Sequence, residues 1–104
     1  MSLLIPVDSA RREIVAALPA RTAHAMHGLL EASRCMNAPV TAAEACIYDF
    51  DAMSPLATAM SLRHAARLGY CVYTGRYWCP LNAAYELRYA LEDRALRDED
   101  DRDR

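Results

Sequence analysis

Residues 41–82, TAAEACIYDFDAMSPLATAMSLRHAARLGYCVYTGRYWCPLN, constrain the fold of this chain more than any other stretch. Thr41 and Glu44 stand three apart at the start of an Ala-rich run, the spacing of a capping box. The Thr41 hydroxyl can accept the Glu44 amide while the Glu44 carboxylate reaches back to the Thr41 amide. The helix they open is short and ends near Tyr48, and a turn follows over residues 49–53. Ser54 then caps another helix, with Pro55 at its first position, where a missing N–H costs nothing. That helix reaches Leu68, and Gly69 closes it. Residues 70–79 hold two β-rich runs around Thr74-Gly75, a hairpin turn signal. Asn82 caps a last helix over residues 83–97.

Taken as a two-residue loop, Thr74-Gly75 sets Val72 opposite Tyr77 and Tyr70 opposite Cys79. Those four, with Leu81, share one face, which is expected to point into the core. Cys71, Tyr73, Arg76 and Trp78 share the other, so Cys71 and Cys79 are not placed to form a disulfide. Exposed aromatics on that outer face would mark a contact surface. A three-residue loop would instead set the two cysteines opposite each other.

Upstream, residues 1–7 read as an extended arm, since Pro6 disfavours helical angles at Ile5. Asp8 or Ser9 can cap a first helix over residues 10–18, with Ile14, Ala17 and Leu18 on one face. Pro19 ends it. A second helix spans residues 20–36, with Ala23, Met26, Leu30 and Ser33 in a stripe that Leu29 widens. Asn37 and Pro39 stop it. In the last helix Ala84, Leu87 and Leu91 share one side, beside Tyr85 and Tyr89. The expected organisation is an arm (1–7), one domain (8–97) and a disordered acidic tail (98–104).

The chain has 104 residues and is 54% apolar, enough for one core without staples. The net charge is −2, which argues against a strongly basic, sequence-blind nucleic-acid coat. Residues 98–104 (DEDDRDR) alone carry −3, leaving +1 elsewhere. All 12 basic Lys and Arg side chains are Arg. The four cysteines, at 35, 46, 71 and 79, form no CxxC and no finger-like pair with His. No stretch is long and apolar enough to be a signal peptide or a membrane span. A cytosolic protein with reduced cysteines, no metal and no cofactor is expected.

The two caps, the Gly stop and the hairpin together resemble the winged helix-turn-helix transcription regulators, of the broad MarR-like and phage-repressor type. The matching residues are TAAE at 41–44, SPLAT at 54–58, Leu62, Arg63, LGY at 68–70, YTGRYW at 73–78 and PLN at 80–82. The resemblance implies a mainly α fold with one β-hairpin, and a helix after Ser54 that enters a DNA major groove. It places Ser54, Thr58, Ser61 and His64 toward phosphates or base edges, Arg63 and Arg67 on flanking phosphates, and Arg76 at the wing tip on the backbone or in a minor groove. The implied partners are double-stranded DNA and a second copy of the chain, joined through the outer helices.

One departure from that pattern is visible in the sequence. The first turns after Ser54 carry Leu56, Ala57, Ala59 and Met60 in place of the Arg, Lys, Asn or Gln that read bases. An alternative is therefore a winged helix used for protein interaction, such as a phage inhibitor of a host protein. No GxSxG, P-loop or HExxH occurs, and there are only 3 glycines, so no enzymatic activity is expected. His24 and His27 lie one turn apart with only Glu31 nearby, and a helix-surface or dimer-interface position is expected for them.

Overall fold

A computed structural model describes residues 7–37, 39–49 and 53–102. Its elements are α1 (Val7–Ala17), α2 (Ala20–Met36), α3 (Ala42–Ile47), α4 (Pro55–Arg67), β1 (Cys71–Tyr73), β2 (Trp78–Pro80), α5 (Asn82–Glu86) and α6 (Arg88–Arg102). The protein is mainly helical with one antiparallel hairpin, as expected. α2 is the central element and packs against α3, α4, α6, β2 and α5. Its residues from Thr22 to Leu30 are buried on every face. The core gathers Val15, Met26, Leu29, Leu30, Val40, Leu62, Trp78, Leu87 and Leu91.

The local signals around α3 and α4 operate as their chemistry dictates. The Thr41 amide donates to Glu44 Oε1 at 2.9 Å, and the Glu44 amide donates to Thr41 Oγ1 at 3.2 Å. Ser54 Oγ accepts from the Ala57 amide at 3.1 Å, with Pro55 opening the helix. At the other end the Gly69 amide donates to the Ala66 carbonyl and the Tyr70 amide to the Ala65 carbonyl, each at 3.0 Å. This is a Schellman motif, and it needs the positive φ of 89° that Gly69 supplies.

Val40, just before α3, forms a β-bridge with Trp78. The Trp78 amide donates to the Val40 carbonyl at 2.7 Å and the Val40 amide to the Trp78 carbonyl at 3.3 Å. The hairpin is thereby tied to the segment that enters α3. Its register pairs Cys71 with Pro80, Val72 with Cys79 and Tyr73 with Trp78. The Thr74 amide donates to the Tyr77 carbonyl at 2.9 Å, so the turn centres on Gly75-Arg76, one residue beyond the expected Thr74-Gly75. Gly75 takes a φ of 96°, which suits the first central position of a tight hairpin turn.

The expected grouping of hairpin residues by face survives this shift, but its orientation is reversed. Cys71 and Trp78 are buried, while Val72 is exposed. Trp78 has the largest apolar side chain in the hairpin and the bridge to Val40 faces it inward, where its burial stabilises most. The Tyr73 ring stacks on it at a centroid distance of 4.5 Å. Cys71 and Cys79 stay on opposite faces, and all four cysteines are free.

Other expectations need correction. α1 starts at Val7, upstream of the proposed Asp8 or Ser9 cap and inside the proposed arm. Val15, and Leu18 just beyond the end of α1, are buried, while Ile14 and Ala17 are exposed. The last helix is two: α5 has Leu81, not Asn82, at its N-cap, and a turn at Leu87 separates it from α6. α6 continues through residues 98–102, which were expected to be disordered. Asp98 explains part of this, because its carboxylate is bonded to His24 on α2. The arm at residues 1–6, residues 50–52 of the α3–α4 turn and tail residues 103–104 lie outside the described residues.

Candidate nucleic-acid interface

α4 has two distinct faces. Leu62 and Ala65 are buried in the core, and Thr58 and Ser61 are buried beside them. The outward stripe is Leu56, Met60, Arg63 and Arg67, at steps of four, three and four residues. The resemblance had turned Thr58 and Ser61 outward, and the structure corrects both. Thr58 is 1% exposed, and its hydroxyl has no hydrogen-bond partner among the described residues. Both lie on the same side of the helix as Leu62 and Ala65, so helical periodicity carries them inward with the core.

His64 is half-buried, with its Nδ1 hydrogen-bonded to Thr22 Oγ1 at 2.9 Å, which ties α4 to α2. Ser54 is exposed, but its hydroxyl is held by the Ala57 amide. Arg63, Arg67 and Arg76 are exposed. Arg76 lies over the Tyr77 ring, with its guanidinium carbon 5.4 Å from the ring centroid. Of the seven residues expected to face DNA, the three arginines and the edge of Ser54 are presented to solvent. Leu56 at 72% and Met60 at 63% exposure dominate the front of α4, and Ile47 at the end of α3 is 75% exposed.

A second polar cluster was not anticipated. His24 and His27 were expected on a helix surface or at a dimer interface, and both are buried. His24 Nδ1 lies 3.3 Å from Asp49 Oδ1, and His24 Nε2 lies 2.7 Å from Asp98 Oδ2. His27 Nδ1 approaches the same Asp49 oxygen at 3.5 Å. Burial alone would push the Asp49 carboxyl upward. The bonds and charges of His24 and His27 outweigh it and hold that carboxyl below its ordinary value.

Arg94 extends the cluster to α1. Its guanidinium donates to the Val15 and Leu18 carbonyls at 2.6 and 2.7 Å, satisfying groups at the end of α1. Its Nε lies 3.7 Å from Asp98. The His24–His27 spacing was the visible signal for this cluster. Its carboxylates come from residues 25 and 74 positions away, which local spacing cannot reveal.

Among the described residues, no group of His, Cys, Asp and Glu is arranged to hold a metal ion, and no helix is long and apolar enough to cross a membrane. Comparisons with protein-family models, curated proteins and solved structures gave no match.

Proposed function

We propose that this protein is a small winged-helix regulator that binds duplex DNA, with α4 as the recognition helix and the β1–β2 hairpin as the wing. The observation that carries this reading is the Val40–Trp78 bridge. It joins the entry to α3 to the hairpin and gives the order helix, bridge strand, helix, helix, wing. In that frame Arg63 and Arg67 lie on the outward stripe of α4, and Arg76 lies in the turn of the wing. The grip would then come mainly from these three guanidiniums on phosphates, a salt-dependent attraction. Sequence selectivity would rest on Arg76 in a minor groove and on DNA shape, because α4 presents no base-reading amide or cation in its first turns. The exposed Tyr85, Tyr89 and Leu96 on α5 and α6 support pairing of two copies through the outer helices.

A fluorescence-anisotropy titration with genomic fragments at several salt concentrations tests this reading. Arg63→Ala, Arg67→Ala and Arg76→Ala should each weaken binding and reduce the slope of log K against log salt by about one. Failure of all three to change binding would rule it out.

A specific observation favours a second reading, a winged-helix protein-interaction module. The exposure of Leu56, Met60 and Ile47 gives the front of the molecule an apolar character unusual for a DNA surface and suited to a protein contact. In that case Leu56→Ser and Met60→Ser abolish capture of a host protein, and the arginine substitutions leave it largely intact.

A further inference from the structure

We propose that the outward face of α4 in one copy of this chain docks on the outward face of α6 in a second copy, head to tail. This inference concerns the chain free of DNA and does not depend on the DNA-binding reading. The outward stripe of α4 runs from apolar to basic, with Leu56 and Met60 followed by Arg63 and Arg67. All four side chains are exposed, and neither arginine forms an ion pair among the described residues.

The outward stripe of α6 is apolar along its middle and acidic at its edges. Tyr89 and Leu96 are exposed and stand two turns apart on one line. Helical spacing sets Glu92 and Glu99 along one edge of that line, and Asp93 and Asp100 along the other. Asp93 is already matched, by Arg97 at 2.9 Å and by Arg12 of α1 at 3.8 Å. Glu92 and Glu99 form no ion pair among the described residues. The cations near them are engaged elsewhere. Arg88 lies over the Tyr89 ring, 5.3 Å from its centroid, and Arg34 of α2 is held by Glu31 at 2.7 Å. The second edge of α6 therefore offers free carboxylates where the second half of α4 offers free guanidiniums.

The two faces cannot meet within one chain. α2 packs against both helices, α4 and α6 do not pack on each other, and each turns its opposite side to the core. A second copy brings them together, with Leu56 and Met60 against Tyr89 and Leu96, and arginines against glutamates. Like faces would instead bring like charges together, which is unfavourable. A contact between two different faces leaves one α4 and one α6 open at the ends, so it extends into rings or chains. The symmetric pairing proposed above would claim the same Tyr89 and Leu96, so the two arrangements exclude each other. Head-to-tail docking also covers Arg63 and Arg67, so a copy held this way is closed to any other ligand of α4.

Sedimentation of the full chain without DNA, at about 50 mM and about 500 mM salt, tests this directly. At low salt the average mass should rise above the monomer with protein concentration, and high salt should return it toward the monomer. Two double variants then separate the faces: Leu56→Glu with Arg63→Glu on α4, and Leu96→Arg with Glu99→Arg on α6. Each alone should associate about tenfold more weakly than the wild type or worse. Mixed in equal amounts they should form a pair of two chains that grows no further, because each variant keeps the face that the other lacks. A wild type that stays monomeric at low salt up to about 1 mM protein would overturn the proposal. So would association that salt does not weaken, a mixture that forms no pair, or either variant associating alone as the wild type does. The last result in the α4 variant would indicate symmetric pairing through α6. Where a double variant fails to fold, by circular dichroism, Arg67→Glu and Glu99→Arg take their places in the same mixing test.

Discussion

Thr58 shows how a residue with an apparently functional side chain is used for packing. Its hydroxyl is buried and has no hydrogen-bond partner among the described residues, a state that costs about 1–3 kcal/mol. Thr58→Val keeps the shape and removes the polar atom, so it should leave stability unchanged or raise it by up to about 1 kcal/mol, measured by thermal unfolding. A loss of DNA affinity in that variant, with stability intact, would return Thr58 to the binding surface. Gly28 is constrained in the opposite sense. A Cβ there would lie 2.4 Å from the Ala45 carbonyl oxygen and 3.2 Å from the Asp49 Cβ, so α2 and α3 could not keep their approach. Gly28→Ala should destabilise by about 2–3 kcal/mol in urea unfolding. Burial pushes the Cys71 thiol up to about 11, with the neighbouring Cys79 adding to the effect. A mild alkylating agent at neutral pH should therefore label exposed Cys35 first and spare Cys71 until the protein unfolds. None of these three environments has a local sequence signature. Each is made by chain that arrives from another element.

At the scale of elements, what could be read from sequence was what the chain settles over three to six residues. The Thr41–Glu44 box, the Ser54-Pro55 start and the Gly69 stop are all closed by backbone groups within one turn, and all three form. The hairpin was legible as an element and as two alternating faces. Period-two alternation does not say which face is inward, and that was settled by Val40, more than thirty residues upstream of Trp78. The same limit applies to α4, where the caps are local but the turning of Thr58 and Ser61 toward the core depends on α2. Thr41→Ala should cost about 1 kcal/mol by removing the cap of α3. The Glu44 carboxyl is held below its ordinary value by the Thr41 amide and then by the Thr41 hydroxyl. A depressed folded-state value means that this contribution is present above the ordinary carboxylate range and is lost as pH falls through the folded value. Asp49, also depressed, carries the same sign. Stability of the wild type should therefore decline below about pH 4, with a shallower decline in Thr41→Ala, read as the thermal midpoint against pH.

Across the whole molecule, α2 packs against α3 and α4 on the side of the exposed arginines, and against α6 on the side of the acidic end. By composition, residues 98–104 read as a solvated, inert acidic tail, with competition against DNA for the basic surface as the alternative. The structure gives part of that stretch a packing role, since Asp98 is hydrogen-bonded to His24 and lies 3.7 Å from Arg94, the α6 residue whose guanidinium reaches the end of α1. Truncation after Arg97 removes the Nε2 partner of a buried imidazole and one charged neighbour of Arg94. It should cost about 1–2 kcal/mol, a figure kept low because Asp98 is partly exposed. Truncation after Asp101 keeps the bond while removing Arg102, Asp103 and Arg104, and should leave the urea midpoint unchanged. If both truncations behave alike, the acidic end is the inert appendage its composition suggests. If they differ as described, any gain in DNA affinity on truncation after Arg97 must be read against a loosened α2–α6 contact, and charge removal alone cannot be credited with it.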